Sequence, residues 1–253
     1  MNNEYLDMKK SIVTLLLVCL TMGSWAVEKP KQGFGFQISW AQPILRINVP
    51  EKLDPIDAAF VDSSKMVIKM KGFKVGVVYD ATYIAGFGST IGLNYTFGVY
   101  NSKWKSLPNS VYGYPLYRQR FLYHQLELFV DWQYKFEIAK ETYLMLYTGP
   151  TLQCGVDFDL HIDKKDFSDD VTRQSSYDYY QSSDDPDKLF KRINVTWGVG
   201  AGFQYKRYFL RGGYDFGLMN PYKNSDFNGE DKHTRGRLDQ WNIRLGVYLW
   251  YHE

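Results

Sequence analysis

Cysteine is nearly missing from this chain: its 253 residues hold two. Cys19 lies in a leader-like segment, so Cys154 stands alone in the processed chain and no internal disulfide can form. Long apolar runs are missing too. Beyond residue 26 none approaches the ~20 residues of a membrane-spanning helix. Neither sign of charge dominates. Thirty Lys and Arg against 28 Asp and Glu leave a net charge of +2, which offers nucleic acid no basic surface. No break in composition marks a second domain.

What is present begins with the leader. Lys9 and Lys10 precede the apolar run 12–20, and Ser24-Trp25-Ala26 sets small residues at −3 and −1. This pattern predicts a signal peptide over 1–26, cut before Val27. Translation starts at Met1 or at Met8, since Glu4 and Asp7 suit a cationic leader poorly. A lipoprotein reading would use Cys19, but Val18 is bulky where a lipobox takes a small residue.

The rest of the chain, 27–253, alternates. In the last stretch Trp241, Ile243, Leu245, Val247, Leu249 and Tyr251 share one face, with Asn242, Arg244, Gly246, Tyr248 and Trp250 on the other. Eight such stretches predict an all-β, eight-stranded antiparallel up-and-down transmembrane β-barrel. Long polar gaps (about 43–71, 101–120, 161–191 and 220–239) take turns with tight ones near 83–87, 137–142 and 206–207. Antiparallel neighbours point opposite ways, so long loops collect at one end and tight turns at the other, as in an outer-membrane barrel.

A soluble lipocalin-like barrel also alternates, but with its apolar face inward. Here that face carries too many large rings for an eight-stranded interior. The opposite face is rich in Gly, Ser, Thr, Asn and Gln. The expected inward charges are Lys74, Asp80, Glu127, Asp131, Lys135, Asp157, Arg211, Asp215 and Arg244. A hairpin symmetric about its loop would set Asp215 opposite Arg244. Tyr79, Tyr83, Phe87, Tyr134, Phe136, Tyr205, Tyr208 and Tyr251 gather near the tight-turn end, which predicts a periplasmic aromatic girdle. Trp40, Tyr100, Phe158 and Trp241 form a sparser outer one.

Seven segments, in this order, carry a resemblance: Gly72-Phe73-Lys74-Val75-Gly76-Val77-Val78-Tyr79-Asp80, Gly86-Phe87-Gly88, Tyr123-His124-Gln125-Leu126-Glu127-Leu128, Gly149-Pro150, Gly198-Val199-Gly200-Ala201-Gly202, Tyr214-Asp215-Phe216-Gly217-Leu218-Met219-Asn220 and Trp241-Asn242-Ile243-Arg244-Leu245-Gly246. Together they resemble the Bacteroidota family of small outer-membrane β-barrels that includes PorT-like proteins. The resemblance implies an eight-stranded outer-membrane barrel; PorT-like members are linked to protein secretion and gliding. Such barrels often end on an aromatic residue, whereas His252 and Glu253 follow Tyr251 here.

Other motifs have plain readings. The segment 161–190, with its Asp, Ser and Tyr, reads as a solvated loop or a binding surface. Asn224-Ser225-Asp226-Phe227-Asn228-Gly229 starts like a calcium loop, but Arg235 stands where a bidentate Glu is required. His124 falls on the lipid-facing parity, where a lipid-acting base could sit, with no partner Ser identifiable. Glycines at Gly33, Gly35 and Gly198–Gly202 alternate and lack the helix that a phosphate loop needs.

The expected function is therefore that of a non-enzymatic outer-membrane protein working through its surface loops, as adhesin, scaffold or secretion accessory. A lipid A-modifying enzyme and a narrow ion channel are the alternatives. No cofactor is expected. Expected partners are outer-membrane lipid or lipopolysaccharide, the barrel-assembly machinery and a protein at the loops, with no nucleic acid.

Overall fold

The computed structural model describes residues 31–48, 65–83, 86–106, 115–166, 170–178, 190–221 and 236–252. The expected signal peptide and the calcium-like segment 224–229 lie outside them. In chain order the strands are β1 (Lys31–Asn48), β2 (Lys65–Lys69), β3 (Lys71–Thr82), β4 (Phe87–Asn101), β5 (Lys105–Ser106), β6 (Leu116–Ala139), β7 (Thr142–Lys165), β8 (Val171–Asp178), β9 (Ile193–Tyr205), β10 (Tyr208–Gly217) and β11 (Gly236–His252). Eight of them close a ring of antiparallel neighbours: β1, β3, β4, β6, β7, β9, β10, β11 and back to β1. The short strands β2, β5 and β8 pair with β1, β6 and β7. The fold is an all-β, eight-stranded, up-and-down barrel.

Alternation explains which face points out. In β4, Leu93, Tyr95 and Phe97 are exposed, while Asn94 and Thr96 between them are buried. The same holds around the ring, so the outer wall is apolar and the polar side chains point in.

Tight turns close one end. Glu141 and Lys206 take positive φ in two-residue turns, and Lys206 N donates to Glu141 O at 2.9 Å, tying the two turns together. Gly86 has φ of 85°, and a Cβ there would stand 2.2 Å from Lys135 O. Only glycine fits that turn.

Two β-bulges overturn part of the expected facing. Opposite the His124/Gln125 step, β7 carries Val156 as an extra residue. Val156 keeps its expected outward place, its neighbour Asp157 leaves the interior, and Phe158 enters it. Asp157 instead pairs with His124 on the outer face. The β1–β11 register shifts likewise past Leu249. Trp250 therefore points out, and Tyr251 turns in to stack on Tyr248. Tyr100 also falls on the inner parity and packs against the internal cluster. Tyr251 thus leaves the expected periplasmic girdle, and Tyr100 and Phe158 leave the outer one.

The strands are longer than the alternation predicts. β1 runs to Asn48, β7 to Lys165, and β8 occupies part of the expected loop 161–191. Tyr177 and Asp178 are paired with Leu160 and Asp159 there. β6 and β7 hold 24 residues each, roughly 80 Å of chain at ~3.3 Å per residue. Crossing a bilayer takes only about 9–11 residues, so the loop-side ends of β6 and β7, opposite their tight turn, extend well past the apolar band.

Candidate functional site

The interior is filled in layers. Nearest the loop-bearing end, Leu45, Ile68, Met70, Phe121, Phe158 and Leu238 pack together with Phe190, which enters from the residue run before β9. Lower down, Val78, Phe129, Met145, Phe209 and Tyr248 form a second apolar cluster. Charged side chains fill the space around and between these clusters.

Eight of the nine expected inward charges are buried inside. Lys74 and Asp80 come from β3, Glu127, Asp131 and Lys135 from β6, Arg211 and Asp215 from β10, and Arg244 from β11. Four are cations and four are anions, so the ionised set sums to zero. Asp157 is the exception, for the bulge carries it outside.

Asp80 is the hub of the lower group. It accepts from Lys135 Nζ at 2.6 Å, Gln133 Nε2 at 2.6 Å, Thr90 Oγ1 at 2.9 Å and Arg211 Nη2 at 3.1 Å. The same Arg211 nitrogen reaches Thr90, Gln133 and Tyr248 oxygens within 3.3 Å. It has two hydrogens, so these contacts are shared. In the upper group Lys74 Nζ meets Glu127 Oε2 at 2.5 Å, Gln125 donates to Glu127 and Tyr123 donates to Gln125. Arg244 reaches Asp131 at 3.4 Å and donates through Nε to Asn242 at 2.8 Å; Asn242 in turn donates to Asp215 at 3.0 Å.

Each of these ion pairs spans strands that are not neighbours in the ring. β3 and β6 are separated by β4, and Arg244 on β11 reaches Asp131 on β6 across the lumen. The expected Asp215–Arg244 facing does not occur. The register instead pairs Asp215 with Gln240 and sets Arg211 opposite Arg244. Like charges in that position repel, and the structure answers with separate anions, Asp80 and Asp131. It also brings the Tyr147 ring to 5.8 Å and 5.7 Å from the two guanidinium carbons. Tyr147 fits because Gly200 and Gly213 flank it; a Cβ at either would come within 2.4 Å of its ring end.

Such an interior leaves little space. A cavity of about 20 Å³ lies between Gln125, Gln153 and Asn194 below and Phe158, Phe190 and Leu238 above. It has room for a water molecule and not for a ligand. Among the described residues no group of three or more His, Cys, Asp or Glu could hold a metal.

On the outside, Tyr79, Phe87, Tyr134, Phe136, Tyr205 and Tyr208 are exposed near the tight turns. Tyr83 is half-buried, with its hydroxyl 2.7 Å from Ser89 Oγ. Trp40 and Trp241 pair at the other end with centroids 6.2 Å apart. His124 lies on the outer face of β6, its Nδ1 2.7 Å from the Tyr95 hydroxyl and its ring 4.8 Å from Phe97. Cys154 is exposed on the outer face, opposite Leu126.

Sequence reasoning misses polar groups at the strand ends: Asp163, in a segment read as loop, is buried 2.8 Å from Arg118. Asp239 lies on the outer parity of β11 yet is fully buried, held by Arg46 and Arg237. The ends of β1 and β11 fall in segments that read as loops from the sequence. The continued alternation Arg237, Asp239, Trp241 was the available signal.

No family model and no curated protein sequence matches the chain. Solved structures of similar outline include Ail, the attachment invasion locus protein of Yersinia pestis, in complex with the heparin analogue sucrose octasulfate. It is 12% identical, with 87% of this chain and 99% of that chain covered at a TM-score of 0.36. Neisserial surface protein A is 11% identical over 88% and 100%, TM-score 0.37. The N-terminal β-barrel domain of Pseudomonas aeruginosa OprF is 11% identical over 86% and 99%, TM-score 0.28. All three scores fall below 0.5, and the fold assignment rests on the closed strand pairing itself.

Proposed function

We propose that this chain is an integral outer-membrane protein with a structural, non-conducting interior, acting without catalysis through its loop-bearing end. The observation that carries this reading is the inversion of its two faces. Large apolar side chains cover the outer wall, and four cations and four anions cancel inside. A soluble barrel would expose charge and bury the apolar face. A bilayer favours the arrangement found, since a closed ring also leaves no unpaired edge in lipid. Export through the leader 1–26, insertion by the assembly machinery and contact with lipopolysaccharide follow from this reading. An adhesive, scaffolding or PorT-like secretion-accessory role places the partner at the loops and the raised loop-side ends of β6 and β7.

The test is fractionation of cells making the tagged full chain. Recovery in the outer membrane, with faster gel migration before heating than after, supports the reading. Recovery in the soluble periplasm overturns it. Planar bilayers should stay silent, because the lumen is filled; steady single-channel steps would revive the ion-channel alternative.

One observation favours a second reading. The His124–Tyr95 contact beside Asp157 lies on the outer wall, where a lipid-acting base would work. Lipid A mass spectra of a deletion strain decide it: an unchanged profile removes the enzyme.

A further inference from the structure

Above the Trp40–Trp241 pair the outer wall changes character. Trp241 Nε1 donates to Gln42 Oε1 at 2.6 Å. One step further, Arg46 on β1 lies directly opposite Arg237 on β11. Two guanidiniums facing each other need an anion, and Asp239 supplies one. Its carboxylate accepts from Arg46 Nε at 3.0 Å, from Arg237 Nε at 3.0 Å and Nη2 at 2.8 Å, and from Gly217 N at 3.0 Å. The carboxylate is wholly buried, while the arginine side chains remain 47% and 48% exposed. Asp239 therefore holds both forks, Arg46 with help from Tyr214, which hydrogen-bonds both Arg46 and Asp239, and about half of each arginine side chain stays open to a ligand.

The charge does not close. Lys69 and Lys71 share the outward parity of exposed Val67 and Phe73. Val67 is paired with Arg46, so Lys69 is Arg46's diagonal neighbour, at roughly 7–8 Å. Among the described residues, four cations over one carboxylate leave an excess of three positive charges on one strip of wall. A pair of arginines stapling two strand ends would need no such excess.

Height selects the ligand. Arg46 lies twelve residues beyond Phe34, the first exposed apolar residue of β1. That is roughly 40 Å of strand, or about 30 Å along the axis at the usual tilt, just past a ~25 Å apolar band. Aromatic rings mark the interface and the cations stand directly above it. Arginine forks match phosphate oxygens two at a time.

We propose that Arg46 and Arg237, held by Asp239 and assisted by Lys69 and Lys71, form a binding site for a phosphate-bearing headgroup of an outer-leaflet lipid. This rests on the membrane reading above and deepens it by naming a lipid class and its site. The shared chemistry is a phosphate monoester or diester, which a phosphorylated lipid A or a free phosphate ion could supply.

The experiment uses the folded barrel in detergent, observed intact by native mass spectrometry. The probes are lipid A carrying both phosphates, enzymatically dephosphorylated lipid A and inorganic phosphate. Wild type should hold phosphorylated lipid A. Arg46→Gln/Arg237→Gln should lose it by on the order of tenfold or more, and Lys164→Gln should keep it. Should the arginine pair prove necessary for folding, Lys69→Gln/Lys71→Gln, with exposed side chains, should give a smaller loss in the same direction. Competition by millimolar inorganic phosphate with equal loss of the lipid adduct would assign the site to the free ion and overturn the lipid part. Equal retention of dephosphorylated lipid A, or equal retention by the double variant, would overturn the site. Insertion of wild type into vesicles is scored separately: failure there would sink the membrane reading, whereas insertion without lipid A binding sinks this proposal alone.

Discussion

Asp80→Asn is the most informative single change. The amide keeps the shape of the carboxylate and removes its charge. Lys135 and Arg211 both rest on that charge, at 2.6 Å and 3.1 Å, and all three are buried. Removing one partner of a buried pair costs about 3–5 kcal/mol, because the other charge is stranded. Here two cations are stranded together, though Asp131 still lies near Arg211. The expected loss is therefore at the upper part of that range, and a factor of roughly 10³ or more in the folding equilibrium. Urea titration of the barrel in lipid vesicles, read by its heat-modifiable gel band, measures it. Lys135→Met in the same background should recover part of the loss, since an apolar stem needs no counter-ion. If Asp80→Asn shifts stability by less than about 1 kcal/mol, or if Lys135→Met deepens the loss, Asp80 is not the anchor of the lower group.

Three further outcomes follow from the geometry. Asp157→Leu should leave the urea midpoint unchanged or raise it, because the bulge places this side chain outside, whereas Asp215→Leu should lower it clearly. Gly86→Ala should destabilise by more than ~1 kcal/mol, given the positive φ and the 2.2 Å approach of a Cβ to Lys135 O; circular-dichroism melting checks it. Phe190→Ala removes a ring packed 5.0 Å from Phe158 and should cost about 3–5 kcal/mol, yet planar bilayers should remain silent because the charged layers still block the lumen.

The sequence makes some of this legible and hides the rest for identifiable reasons. Period-two alternation revealed all eight ring strands and placed Lys74, Glu127 and Arg244 inward, because lipid-like and polar surroundings demand opposite side chains. It could not reveal the bulges. Val156 and Leu249 are apolar outward residues like their neighbours, so an extra one leaves no trace, and the facing of Asp157 and Tyr251 was lost with it. Nor could it place the strand ends. Past the apolar band β7 still buries Leu160 and Ile162 in the internal cluster, but the residues that follow them, His161 and Asp163, are polar, and the segment reads as loop. The Asp215–Arg244 facing failed because register was drawn from loop symmetry, whereas the observed pairing is four residues away from it.

The spoke-like ion pairs also bear on how such a wall comes to exist. Lys74 finds Glu127 and Lys135 finds Asp80 once β3 and β6 flank β4, whereas Arg211 finds Asp80 and Arg244 finds Asp131 only once β10 and β11 have curved round to face β3 and β6. An unclosed sheet would leave Arg211, Arg244 and Asp131 without these partners, each at a cost of several kcal/mol in hydrocarbon. The last of these pairings arrive at closure and not before. The lumen thus works as a checkpoint on assembly: an open or misregistered cylinder is expelled by its own charges, and the completed one is locked by the same groups.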